Sequence, residues 1–126
     1  MAVKYTVIER GNPLKPQLPK KWYANAKSTG ETKLRALCKD IAARSTVSSA
    51  DTQAVLVALT EVMVEQLSEG KIVRLGDFGA FQISVSGEGA ETEAKFNASL
   101  IKNNKVVFRP GIDLKEMQNN LKYVKV

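Results

Sequence analysis

A chain of 126 residues that is 44% apolar and 25% charged has the make-up of one folded domain with a modest extension, which excludes a disordered tail or a fibrous repeat. Lys and Arg number 19 against 13 Asp and Glu, so the net charge is +6 and a polyanionic partner, nucleic acid or an acidic membrane surface, is expected. One cysteine excludes an internal disulfide, the absence of histidine removes the usual general base and metal ligand, and no apolar run reaches the length of a membrane span.

Residues 1–30 differ from the rest. Tyr5–Ile8 is a short β-prone run, Gly11–Pro19 is a proline-rich loop, and Lys20–Ala24 suits a second strand, so the two runs are expected to pair as a hairpin. Six basic residues (Lys4, Arg10, Lys15, Lys20, Lys21, Lys27) face one acid, Glu9, which makes this segment a basic N-terminal extension to a domain spanning 31–126. The first residues lack the apolar stretch of a secretory signal, and with a lone thiol the expected location is a reducing cytoplasm.

Residues 31–44 carry Leu34, Leu37, Cys38, Ile41 and Ala42 on one helical face, with Thr29 or Gly30 as the start and Glu31 near the positive dipole end. Cys38 then falls among apolar neighbours as a small buried residue. Ser45–Ser48 breaks the helix, and Ser48 with Asp51 has the spacing of a capping box. The next helix, to about Ser68, has Val55, Leu56, Leu59, Val62, Met63 and Leu67 as a stripe that Ala54, Val57, Ala58 and Val64 widen. A helix apolar on most sides needs cover on more than one side, and a second subunit is the simplest source. Gly70 ends it.

The period then changes to alternation: Phe81, Ile83 and Val85 on one side of a strand, Gln82 and Ser84 on the other. Ser86–Glu93 has loop composition and three glutamates. Thr92 is placed to cap a short helical turn. Lys105–Arg109 reads as a strand stopped by Pro110-Gly111, Asp113–Leu121 as a terminal helix, and Lys122–Val126 as a small last strand.

Certain residues narrow the field. Glu69-Gly70-Lys71, then Val73-Arg-Leu-Gly-Asp-Phe-Gly-Ala-Phe81, resembles the helix end and first hairpin of the HU family of bacterial histone-like proteins (the HU/IHF type). Phe108-Arg-Pro-Gly111 with Leu114-Lys115 resembles that family's closing segment, and the resemblance spans about residues 31–121. It implies an α+β fold: two N-terminal helices, one three-stranded antiparallel sheet with a long arm, and a short C-terminal helix, in an intertwined homodimer whose arms grip and bend DNA. The chain departs from the family twice. The arm region, about Val85–Leu100, has no Arg-Asn-Pro tip and no proline to wedge between base pairs, and it sets Glu88, Glu91 and Glu93 against Lys95. The basic N-terminal segment, similar to that of an HU-like subfamily, is the second departure, and it is placed to supply phosphate contacts that the arm has lost.

The expected activity is architectural duplex binding without sequence preference, through charge and shape, in the nucleoid. Residues 95–126 add seven cations against two acids. The expected contact residues there are Lys95, Lys102, Asn103, Asn104, Lys105 and Arg109, cations and amides suited to backbone or minor-groove contact. Lys71 and Arg74 near the first hairpin, and Lys20 and Lys21 in the extension, complete the set. Trp22-Tyr23 beside those lysines reads first as packing for the hairpin and second as a stacking surface. No cofactor, metal, membrane or small-molecule substrate is expected. An enzyme has little support, since Ser99-x-x-Lys102 and Ser68-x-x-Lys71 match the acyl-transfer spacing without its companion motifs and Gly87-Glu-Gly89 lacks the third glycine of a dinucleotide loop. The other reading is a dimeric protein-interaction module that has lost strong DNA binding, which the acidic 86–93 loop favours.

Overall fold

A computed structural model describes all residues, 1–126. In chain order it has strands β1 (Val3–Arg10) and β2 (Lys21–Lys27), helices α1 (Leu34–Ala43) and α2 (Ser49–Ser68), strands β3 (Val73–Arg74), β4 (Gly79–Gly87) and β5 (Ile101–Pro110), helix α3 (Ile112–Asn119) and strand β6 (Tyr123–Lys125).

The expected layout is corrected in two respects. Strands, not helices, come first, and there are two three-stranded sheets rather than one. The first sheet has the order β2-β1-β6: β1 and β2 are antiparallel, while β6 lies parallel to β1 on its other edge. The second has the order β3-β4-β5 and is antiparallel throughout. The proline-rich loop brings β1 back onto β2, and the last strand, about 120 residues away in sequence, then finds the free edge of β1. A pattern confined to residues 31–121 contains neither of these strands.

Local chemistry accounts for the helices. Ser48 caps α2, its hydroxyl accepting from the Asp51 amide at 3.1 Å. Helix α1 starts later than its sequence suggests, at Leu34, with Lys33 at the cap position and no side-chain cap. Cys38 is buried as expected, at 1% exposure. Thr92 precedes a short 3-10 turn, Glu93–Lys95, without capping it.

Phe78, Phe81 and Phe108 cluster where the second sheet begins, with ring centroids 5.8 Å apart for Phe78 and Phe108 and 4.8 Å for Phe81 and Phe108. Gly79 makes this approach possible. Its φ is 145°, and a Cβ there would lie 2.5 Å from the Arg109 carbonyl and 2.7 Å from the Phe108 ring.

The single chain leaves most of its apolar surface open. Three of 126 residues are buried, and the accessible surface is 10785 Å², against roughly 6,600 Å² for a compact monomer of this mass. The open surface is patterned. On α2, Val55, Val57, Val62 and Val64 are exposed, and on the second sheet so are Ile83, Val85 and Val106.

Candidate nucleic-acid interface

Cross-strand partners in a sheet share a face, so the register sorts the side chains of the second sheet. Val73 pairs with Phe81 and Phe81 with Phe108, and Ile83 faces Val106, which makes one side apolar. Arg74 pairs with Ala80 and Ala80 with Arg109, then Gln82 with Val107, Ser84 with Lys105 and Ser86 with Asn103. This second side is polar and basic, with no acid among its strand residues.

Arg74, Gln82 and Arg109, together with Lys115 of α3, also line an open cleft of ≈ 300 Å³. Arg74 and Arg109 lie beyond salt-bridge distance of Asp77 and Glu116, because the chain's ion pairs are Lys71–Glu69 and Lys95–Glu91. Three guanidinium and ammonium groups on one side, Arg74, Lys105 and Arg109, therefore remain open to an anion, with hydroxyl and amide donors between them.

The expected contact residues separate into groups. Arg74, Asn103, Lys105 and Arg109 share the basic side. Asn104 pairs with Val85 and lies on the opposite side. Lys102 falls at an irregularity, since Ser86 pairs with Asn103 and Gly87 with Ile101, skipping it. Lys71 is 3.0 Å from Glu69 and Lys95 is 3.6 Å from Glu91, both exposed pairs. Lys21 opens β2 in the other sheet, and Lys20 precedes it. Sequence reasoning counted Lys115 among the cations of residues 95–126 but did not place Gln82 and Ser84 with them. Alternation already placed Gln82 and Ser84 away from Phe81; the missing step was that Ala80 and Gln82 face Arg109 and Val107 across the sheet.

The arm departs from a long basic finger. Beyond Gly87 the chain makes two 3-10 turns, Glu93–Lys95 and Ala98–Leu100, before β5 begins. Glu88, Glu91 and Glu93 are exposed there.

The profile of the HU-HIG family, described as "HU domain fused to wHTH, Ig, or Glycine-rich motif", matches residues 1–125. The chain belongs to this family. The HU-HIG match takes in the N-terminal hairpin as well as the helices and the second sheet. A crystal structure of a candidate bacterial DNA-binding protein from Bacteroides vulgatus ATCC 8482 shares the fold, with a TM-score of 0.65 and 13% identity over 98% of this chain. The HU-HIG chain described here spans 48% of that protein's length. No curated protein matches the sequence.

Proposed function

We propose that the chain binds duplex DNA without sequence preference, as an architectural protein of the nucleoid, and that it does so as a dimer. The observation that carries this is the basic side of the second sheet. Arg74 and Arg109 lie in one cross-strand row, Lys105 stands further along, and none of the three has a carboxylate partner. Such a surface neutralises phosphates and presents few groups in a geometry that selects a base. The HU domain type of the family and the description of the Bacteroides vulgatus relative point the same way. With no proline between Val85 and Leu100, the expected mode is compaction or gentle bending rather than sharp kinking.

Dimerisation draws on the open surface. On the apolar side of β4 and β5, Ile83, Val85, Val106 and Phe108 are exposed although nothing polar recommends them to water. A second copy covering that side and α2 would remove much of the excess surface.

The test is fluorescence anisotropy of a labelled duplex across a salt series. The wild-type chain should bind sequences alike and lose affinity steeply with salt. The triple change Arg74→Gln, Lys105→Gln and Arg109→Gln should flatten the logarithmic salt slope by about 2–3 per chain. No binding at low salt by a chain that is dimeric in solution would reject the proposal and favour a protein-interaction module, the reading that the three arm glutamates support.

A further inference from the structure

The first sheet has two unlike sides, and its register fixes which residues share each. Val3, Tyr5 and Val7 of β1 align with Ala24 and Trp22 of β2 and with Tyr123 of β6. This side is apolar except for Glu9 and for Lys125, which pairs with Tyr5, and its apolar residues, Tyr5 and Tyr123 among them, line a cleft of ≈ 580 Å³. The other side carries Lys4, Arg10, Lys21 and Lys27.

Those four cations form two directly opposed pairs, Lys4 with Lys27 and Arg10 with Lys21, one at each end of the hairpin. The hairpin's acid, Glu9, lies on the apolar side, opposite Trp22. None of the four has a carboxylate within 4.0 Å, and all are exposed. Like charges directly opposed across an antiparallel pair work against the sheet. Two such pairs on one side, with no counter-charge, are unfavourable in the free protein and become favourable against a polyanion. Thr6, Ile8, Tyr23 and Asn25 lie between the pairs, and all but Ile8 add hydroxyl or amide donors.

We infer that this side of the first sheet is a second contact surface for the phosphate backbone of duplex DNA, separate from the basic side of the second sheet. The inference rests on the DNA-binding reading above and assigns that reading a further site. From Lys4 to Arg10 the strand advances about 20 Å, so the two pairs meet phosphates about six base-pair steps apart. A single-strand platform would set several aromatic rings among the cations. Here Trp22, Tyr5 and Tyr123 lie on the opposite side and Tyr23 alone accompanies the basic groups, which favours the duplex backbone.

The test uses the full chain and a labelled random-sequence duplex in a NaCl series, with circular dichroism to follow the fold. The quadruple change Lys4→Gln, Arg10→Gln, Lys21→Gln and Lys27→Gln should weaken binding at low salt and flatten the slope by about 3–4 per chain. The charge-keeping change Lys4→Arg, Lys21→Arg and Lys27→Arg should retain the wild-type slope. If the quadruple variant loses its fold, the pairwise variants Lys4→Gln with Lys27→Gln, and Arg10→Gln with Lys21→Gln, should each remove about two from the slope. A wild-type chain that binds steeply while the folded neutral variants match it overturns this site and leaves the DNA-binding reading intact. Tighter binding to the single strand than to the duplex overturns the duplex assignment. A wild-type chain that binds no duplex removes both this site and the reading beneath it.

Discussion

At the scale of single residues, parity along a strand decides which groups can act together. Lys105 and Asn104 are neighbours in sequence, yet one joins Arg109 on the basic side and the other faces Val85 across the apolar side. A stretch rich in cations and amides was legible in the sequence; its division between two sides was not, because it depends on the partner strand. The same holds for Lys71 and Lys95, whose pairing with Glu69 and Glu91 depends on side-chain placement that spacing does not fix. Gly79 has little freedom to change. A side chain there meets both a φ of 145° and the Phe108 ring, so Gly79→Ala should cost roughly 2 kcal/mol or more of stability. Urea unfolding should show this as a lower midpoint with little change in slope.

Among the elements, strand β4 and the second helix follow most directly from local pattern. Helical period, the Ser48 cap and Gly70 mark out α2, and strict alternation marks out β4. Helix α1 was found by its apolar face, although its start moved from the Thr29–Glu31 region to Leu34. Strand β5 begins at Ile101, earlier than its apolar run of Val106–Phe108 suggests, because the pairing with β4 continues past the last apolar pair to Ser86 and Asn103. Between β4 and β5 the three exposed glutamates oppose an approaching phosphate backbone, and Glu91 also occupies Lys95. Replacing Glu88, Glu91 and Glu93 by Gln should therefore tighten duplex binding several-fold at low salt, with the gain fading once exposed charges are screened, within about 10 Å at 0.1 M salt. An unchanged anisotropy titration would show that the arm stays clear of DNA.

For the whole molecule, the decisive quantity is the surface left open. An accessible area of 10785 Å² with three buried residues is far from what a chain of this length needs to stand alone. The expected outcome is a solution mass twice 13.8 kDa by light scattering, and a melting temperature that rises with protein concentration because folding and association are coupled. Changing Val106 to Glu, on the open apolar side of β5, should lower the mass to that of one chain or unfold it. The wide apolar stripe of α2 gave the one local sign of this need. Of the first sheet, the hairpin and the small strand near Tyr123 were legible, but their pairing was not, because a parallel pairing between strands far apart in sequence leaves no short-range pattern.

That pairing sets an order of events during synthesis. β1 is made first and can close on β2 across a short loop, but its other edge is matched only by Tyr123–Lys125. Until Tyr123–Lys125 leave the ribosome, the central strand of the sheet is an open edge, and the contact that closes it joins segments far apart in sequence. The nascent protein therefore exposes a pairing edge throughout the synthesis of the helices and of the second sheet. The hairpin's four uncompensated cations would meanwhile discourage two nascent chains from joining along that edge.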